Sequence, residues 1–295
     1  MALTGILVPL ITPFVKQDEL NLQVYEKLID RLLESRVDGI VVAGSTGEGL
    51  ALSDRERDLL ISTAVKKVAN RCEVVVGCSA YRTSEVIYNI NRAQELGATS
   101  AMITHPYYSL PDRRELLNHY QAVDRSVRLP LIVYNNPSTT GIDASPEMLS
   151  EMAGYQNVKA IKESSGVSSR VSKLRQLTSD RLDVLCGTDN MALEQIAAGA
   201  TGWVAGVANV LPAQCVAMFR HLKSGDLQTA QGIYARIYPY LELAESTGKY
   251  VQVNRFGLSY LGYDVGEPRL PLLNVAEELK TEIRKVLDAI LRSAP

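Results

Sequence analysis

A lysine at the end of an apolar run is the first residue whose chemistry needs explaining. Lys162 follows Val158-Lys159-Ala160-Ile161 and precedes Glu163-Ser164-Ser165-Gly166. If such a lysine is desolvated, its amine deprotonates more readily and can attack a carbonyl carbon to form a Schiff base. The plainer reading is a solvated lysine, or one paired with Glu163. Tyr134 closes a second apolar run, Leu131-Ile132-Val133, ahead of Asn135-Asn136-Pro137. A phenol there either relays a proton over a reacting carbon or packs half-buried. Gly44-Ser45-Thr46-Gly47-Glu48-Gly49 is a third candidate. Its backbone N–H groups and hydroxyls suit a phosphate or a carboxylate. It has neither P-loop nor dinucleotide-binding spacing, and a tight turn that uses Gly for conformational reasons is the other reading. Tyr107 and Tyr108 are open in the same way, and Trp203 reads as core or interface.

Composition narrows the remaining options. The 295 residues carry 31 Lys+Arg against 33 Asp+Glu, a net charge of −2, and 46% are hydrophobic. That is enough to build a full core without a basic face, so no nucleic-acid partner is expected. No apolar stretch approaches the roughly 20 residues of a membrane helix. The first residues lack the basic and apolar segments of a signal peptide. A cytoplasmic location with no membrane association is therefore expected. Cys72, Cys78, Cys186 and Cys215 are scattered and read as reduced thiols. His105, His119 and His221 show no ligand-like spacing, so neither a metal site nor a resident cofactor is expected.

The elements that must position these side chains follow from two alternating periods. Eight nearly continuous apolar runs read as buried parallel strands: Ile6–Leu10, Gly39–Ala43, Glu73–Gly77, Ser100–Ile103, Leu131–Tyr134, Val158–Ile161, Val184–Cys186 and Gly202–Ala205. Helical faces lie between them, as in Tyr25, Leu28, Ile29, Leu32 and Leu33. Ser53 and Glu56 predict a capping box, and Gly97 suits a helix C′ position. The segments around Arg36–Gly44, Glu95–Ile103 and Ala198–Gly206 share one helix-to-strand plan, which marks a repeating unit. Eight such strands fit a (β/α)8 barrel, with an open doubly wound sheet as the alternative. After residue 206 the strand signal stops, and Ile283, Val286, Leu287, Ile290 and Leu291 form a last helical face. The expected organisation is a barrel over residues 1–225 and a C-terminal helical extension over 226–295. In a parallel barrel the strands' carboxyl ends carry the chemistry, and the candidate residues all fall there.

Taken together, Gly44-Ser45-Thr46-Gly47-Glu48, Pro106-Tyr107-Tyr108, Tyr134-Asn135-Asn136-Pro137 and Ile161-Lys162-Glu163 occur in the order and spacing of one family. The chain resembles the dihydrodipicolinate synthase/N-acetylneuraminate lyase superfamily, the Schiff-base class I aldolases and lyases of 2-oxo acids. The resemblance extends over almost the whole chain. It implies that Lys162 forms an imine with pyruvate or a larger 2-oxo acid. Ser45, Thr46 and Gly47 would hold the substrate carboxylate, and Tyr134 would shuttle the proton. Ser45, Tyr134 and a tyrosine lent by a neighbouring subunit would form the relay of the synthase branch. Tyr108 matches that lent tyrosine, so a homotetramer built as a dimer of dimers is implied. Val204 matches a residue lining the pyruvate pocket.

Departures bear on the substrate. Synthases of the family carry an arginine for the second substrate's carboxylate where this chain has Thr139. Position 45 is Ser, as in the sialic acid lyase branch, and the histidines of lysine feedback would fall at Asp54 and Arg57. Asn135-Asn136-Pro137 and Gly202-Trp203-Val204-Ala205-Gly206 are also similar to catabolic members, among them a deaminase of a pyrroline carboxylate. The resemblance therefore implies a lyase that cleaves or condenses carbon–carbon bonds or dehydrates a 2-oxo acid. Two alternatives stay open: a synthase condensing pyruvate with aspartate semialdehyde, and a non-catalytic relative that binds 2-oxo acids.

Overall fold

The structure is a computed structural model that describes residues 3–15 and 19–292. Eight parallel strands close into a barrel: β1 (Gly5–Pro9), β4 (Gly39–Val42), β5 (Glu73–Gly77), β6 (Ser100–Thr104), β7 (Leu131–Asn135), β8 (Val158–Glu163), β9 (Asp183–Cys186) and β10 (Gly202–Val204). Between β1 and β4 lies a short antiparallel hairpin, β2 (Phe14–Val15) and β3 (Glu19–Leu20), which the apolar periodicity does not announce. Each barrel strand pairs with its neighbours in sequence, and β1 closes the ring against β10. The open-sheet alternative is thereby excluded.

Strand alternation sorts the apolar residues into two cores. Leu7, Val41, Val75, Ile132, Ala160 and Leu185 fill the barrel interior. Ile6, Ile40, Val74, Leu131, Ile161 and Val184 point outward and pack under the surrounding helices. Both faces are covered, which explains why these strands read as unbroken apolar runs. The expected capping box forms on the helix Asp54–Val68, and Gly97 follows the helix Thr83–Glu95 where expected.

Among the strand ends that differ from expectation, those of β4 and β8 matter most to the site. β4 stops at Val42 because Ala43 turns to φ +54, which opens the Gly44–Gly49 loop. β8 runs on to Glu163, so Lys162 lies inside the strand and not beyond it. After β10 the chain is helical, over Pro212–Lys223, Leu227–Ser246, Tyr250–Tyr260 and Glu277–Arg292. The last of these buries Ile283, Leu287 and Ile290. The helix Tyr250–Tyr260 sends Arg255 back to the barrel, where its guanidinium donates to the Thr12 carbonyl at 2.8 Å.

Candidate active site

Lys162 pairs in register with Tyr134 on one side and with Leu185 on the other. Each stands two residues beyond an interior residue of its own strand, Ala160 and Ile132, so both side chains turn toward the barrel axis. Both are buried, at 6% and 7% exposure. Lys162 Nζ lies 3.8 Å from the centroid of the Tyr134 ring, a cation–π distance when the amine is charged. The Tyr134 hydroxyl accepts from Asn136 Nδ2 at 2.8 Å. Space for the lysine stem depends on Gly187, since a Cβ there would come within 2.9 Å of Lys162 Cγ and Cε and would overlap Ser164 Oγ.

The plainer reading of Lys162 does not hold. The lysine is not solvated, and Glu163 leaves on the opposite face of the strand. There the Glu163 carboxylate is fully buried and accepts from Ser165 N at 2.6 Å and from Asn135 Nδ2 at 3.2 Å. Burial pushes its pKa up. Asn135 also uses its Oδ1 to accept from His105 Nε2 and Ala144 N, both at 3.1 Å. The residues following Tyr134 and Lys162 are thus locked to one another behind the barrel wall. Burial pushes His105 down to about 4, and its Nδ1 faces the Tyr120 hydroxyl at 2.7 Å.

The loop after β4 folds into a tight turn. The amides of Gly47 and Gly49 donate to the Gly44 carbonyl at 3.1 and 3.0 Å, and Glu48 N donates to the Ser45 carbonyl at 3.1 Å. The Gly47 N–H thus donates inside the turn. A Cβ at Gly47 would lie 2.7 Å from the Leu10 carbonyl oxygen, so glycine lets the turn seat against β1. Ser45 and Thr46 place their amides and hydroxyls in the same turn.

Beneath the loop, Glu48 adopts φ +55 and accepts from Arg255 Nη1 and Arg269 N, each at 2.8 Å. Arg255 and Glu48 are almost wholly buried, and burial pulls the guanidinium down to about 10. Glu48 sat inside the recognised motif, yet its partner lies 207 positions away and no spacing rule could connect them. A second unforeseen cluster surrounds Asp189. Its carboxylate accepts from Trp203 Nε1 at 2.8 Å, from Val207 N at 3.1 Å and from the Tyr250 hydroxyl. Its amide donates to Glu245 Oε1 at 2.7 Å. Burial, reinforced by Asp189, lifts Glu245 to about 7. Trp203 is accordingly core, held by a buried acceptor.

A cavity of about 420 Å³ opens at the carboxyl ends of the strands. Ser45, Tyr134 and Thr139 stand on its wall. Lys162 lies behind the Tyr134 ring, and Thr46 is buried within the turn. Val204 belongs to the interior cluster that also holds Tyr134 and Leu185. Tyr108 is not brought to Tyr134 within the chain: it is 95% exposed, with its backbone at φ +79, a left-handed conformation rare for tyrosine.

A buried lysine near the carboxyl end of a (β/α)8 barrel strand, stacked on a phenol that shares a cavity wall with a hydroxyl-bearing turn, defines a lyase of the class I aldolase type. The particular family follows from comparison. The model of the dihydrodipicolinate synthetase family matches residues 2–290, and the chain belongs to that family. A 4-hydroxy-tetrahydrodipicolinate synthase of Desulforudis audaxviator is 35% identical over 282 residues, 96% of each chain. Among solved structures, a putative dihydrodipicolinate synthetase from Pseudomonas aeruginosa superposes with a TM-score of 0.93 at 33% identity, covering 98% of this chain and 100% of that one. The dihydrodipicolinate synthase of Thermotoga maritima gives 0.95 at 28% identity, covering 98% and 99%.

Proposed function

We propose that Lys162 forms a Schiff base with the keto carbon of pyruvate or a larger 2-oxo acid. The enzyme then makes or breaks a carbon–carbon bond, or removes water, at the adjacent carbons. The observation that carries this reading is the burial of Lys162 with its Nζ over the ring of Tyr134, a residue of the cavity wall. The neutral amine adds to the ketone, and the carbinolamine expels water after Tyr134 protonates its hydroxyl. The resulting iminium withdraws electrons from the carbon–carbon bond or the proton on the neighbouring carbon. Ser45 and Thr46 hold the carboxylate, Thr139 borders the remainder of the substrate, and Val204 limits the space around the keto carbon. Asn136, bonded to the Tyr134 hydroxyl, steadies the phenol for its proton transfers.

In this reading residues 1–225 form the catalytic barrel and 226–295 the helical extension. The assembly is a homotetramer in which Tyr108 reaches a neighbour's site. Its 95% exposure supports that role. A cytoplasmic location is part of the reading, and among the described residues no helix is long and apolar enough to cross a membrane.

Borohydride trapping in the presence of pyruvate, followed by peptide mass mapping, tests the proposal. An adduct on the Lys162 peptide is expected; its absence with every 2-oxo acid tried would leave the non-catalytic reading. A second enzymatic reading, condensation of pyruvate with aspartate semialdehyde, is favoured by the names of the curated relatives. A coupled assay with the semialdehyde decides it.

A further inference from the structure

Resting on the Schiff-base reading of Lys162, we infer that Asn135 and Glu163 are positioning residues. Their buried side chains, joined in one fixed donor–acceptor order, hold the strand ends that set Lys162 against Tyr134. Two rows of side chains cross the barrel here. Thr104, Tyr134 and Lys162 are register partners across β6, β7 and β8. One residue further along, His105, Asn135 and Glu163 form a second row, which strand alternation turns to the opposite face. Each member of that row is fully buried. Asn135 and Glu163 are the last registered pair of β7 and β8, and beyond them the Ser164 amide on the Asn135 carbonyl, at 2.9 Å, ends the contact.

The second row can be bonded in one direction only. The Ala144 N–H donates to Asn135 Oδ1 at 3.1 Å, and a backbone donor fixes which end of the Asn135 amide is oxygen. His105 Nε2, 3.1 Å from the same oxygen, must therefore carry its proton. That leaves Nδ1 to accept from the Tyr120 hydroxyl at 2.7 Å. At the other end of the amide, Asn135 Nδ2 donates to Glu163 Oε2 and to Asp143 Oδ1, both at 3.2 Å. Glu163 Oε1 takes a separate donor, Ser165 N, at 2.6 Å. Asp143 is matched by both Nη groups of Arg170, at 2.6 and 2.8 Å. Replacing one acceptor by a donor therefore breaks an order that no single amide rotation restores.

A role in positioning follows from what the other face carries. Tyr134 and Lys162 immediately precede Asn135 and Glu163, so parting the second row splays the first. Lys162 Nζ sits 3.8 Å from the Tyr134 ring centroid, and a misplacement on the order of 1 Å can cost ~100-fold in rate. Neither Asn135 nor Glu163 lines the cavity. Their loss should thus fall on the chemical step and leave substrate affinity nearly untouched.

The test compares the wild type with E163Q, N135D and the double variant N135D/E163Q. Single-turnover formation of the borohydride-trapped pyruvate adduct at Lys162 is read, normalised to the folded fraction from circular dichroism. E163Q sets donor against donor at the Asn135 amide, and N135D sets a carboxylate against Glu163. The double variant reverses the order: the β7 carboxylate still accepts from Ala144 and His105, and the β8 amide donates back to it. Asp143 then meets a like charge, which limits the recovery. Each single variant should slow adduct formation at saturating pyruvate by at least ~10-fold, with half-saturation within ~3-fold of wild type. The double variant should be at least ~5-fold faster than either single one. Wild-type rates in both single variants overturn the inference, as does a loss confined to half-saturation or a double variant no faster than the singles. If the single variants do not fold, a folded double variant within ~10-fold of the wild-type rate carries the same conclusion; a double variant that is slower or unfolded overturns it. Failure of the wild type to trap any 2-oxo acid removes the Schiff-base reading itself, and this inference with it.

Discussion

Lys162 Nζ lies over the Tyr134 ring, 3.8 Å from its centroid, and the two residues are register partners on adjacent strands. The phenol ring is therefore the lysine's packing surface, and its hydroxyl is the group proposed to carry the proton. Removing only the hydroxyl separates these roles. Tyr134→Phe keeps the ring and should lower kcat by about 100-fold, as expected for loss of a positioned acid–base group, with little change in KM. Steady-state kinetics check this, and an unchanged kcat would remove Tyr134 from the proton relay.

Gly187 offers a test of how tightly the lysine stem is confined. Gly187→Ala puts a methyl group within 2.9 Å of Lys162 Cγ and Cε. Displacing the stem and Ser164 should cost about 1–3 kcal/mol of stability, the usual range for overpacking. It should also slow adduct formation more than it weakens substrate binding. Chemical denaturation together with time-resolved trapping reads both effects.

Arg255→Met leaves Glu48 in its buried position without its charged partner, which is expected to cost about 3–5 kcal/mol. Adding Glu48→Gln removes the stranded charge and should restore part of that loss. A double-mutant cycle by urea unfolding measures the coupling. The cycle should be accompanied by a raised KM in each single variant, because Glu48 shapes the turn that receives the carboxylate.

Burial pushes His119 down to about 4, with Thr83 Oγ1 at 2.9 Å from Nδ1. Its folded pKa lies below the unfolded value near 6.5, so the unfolded chain takes up the proton first as pH falls. The stabilising preference for neutral His119 is complete above about pH 6.5 and is lost progressively toward pH 4. Relative to His119→Gln, the wild type should therefore weaken by roughly 2–3 kcal/mol across that window. Paired denaturation curves at several pH values isolate this effect from the carboxylates that both proteins share. A constant difference between the two proteins would show that His119 does not titrate with folding.

What could be read in advance was whatever is written locally. The eight strands announced themselves as unbroken apolar runs because helices cover them and side chains fill their interior. Ser53 and Glu56 met as expected because a capping box spans four consecutive residues. Lys162 and Tyr134 stood out because each ends an apolar run with a chemically active side chain. The Glu48–Arg255 pair and the Asp189 cluster were invisible because each joins segments that only the closed barrel and the returning helices bring together. The internal bonding of the Gly44–Gly49 turn was hidden for a subtler reason: composition shows that a turn has N–H groups, while only its folding shows which of them bond within it. Tyr108 illustrates a further limit, since nothing in its neighbouring residues announces its left-handed backbone or its 95% exposure.

Arg255 stands on a helix made late in synthesis, yet it braces the loop that follows the second barrel strand. On a ribosome, the barrel strands emerge well before the residue that fixes the substrate turn. A nascent chain released early would have all eight strands, Lys162 and Tyr134, but an unbraced carboxylate turn and an orphaned acidic group beneath it. The charge balance beneath this turn is thus completed only near the end of translation, when Arg255 reaches Glu48.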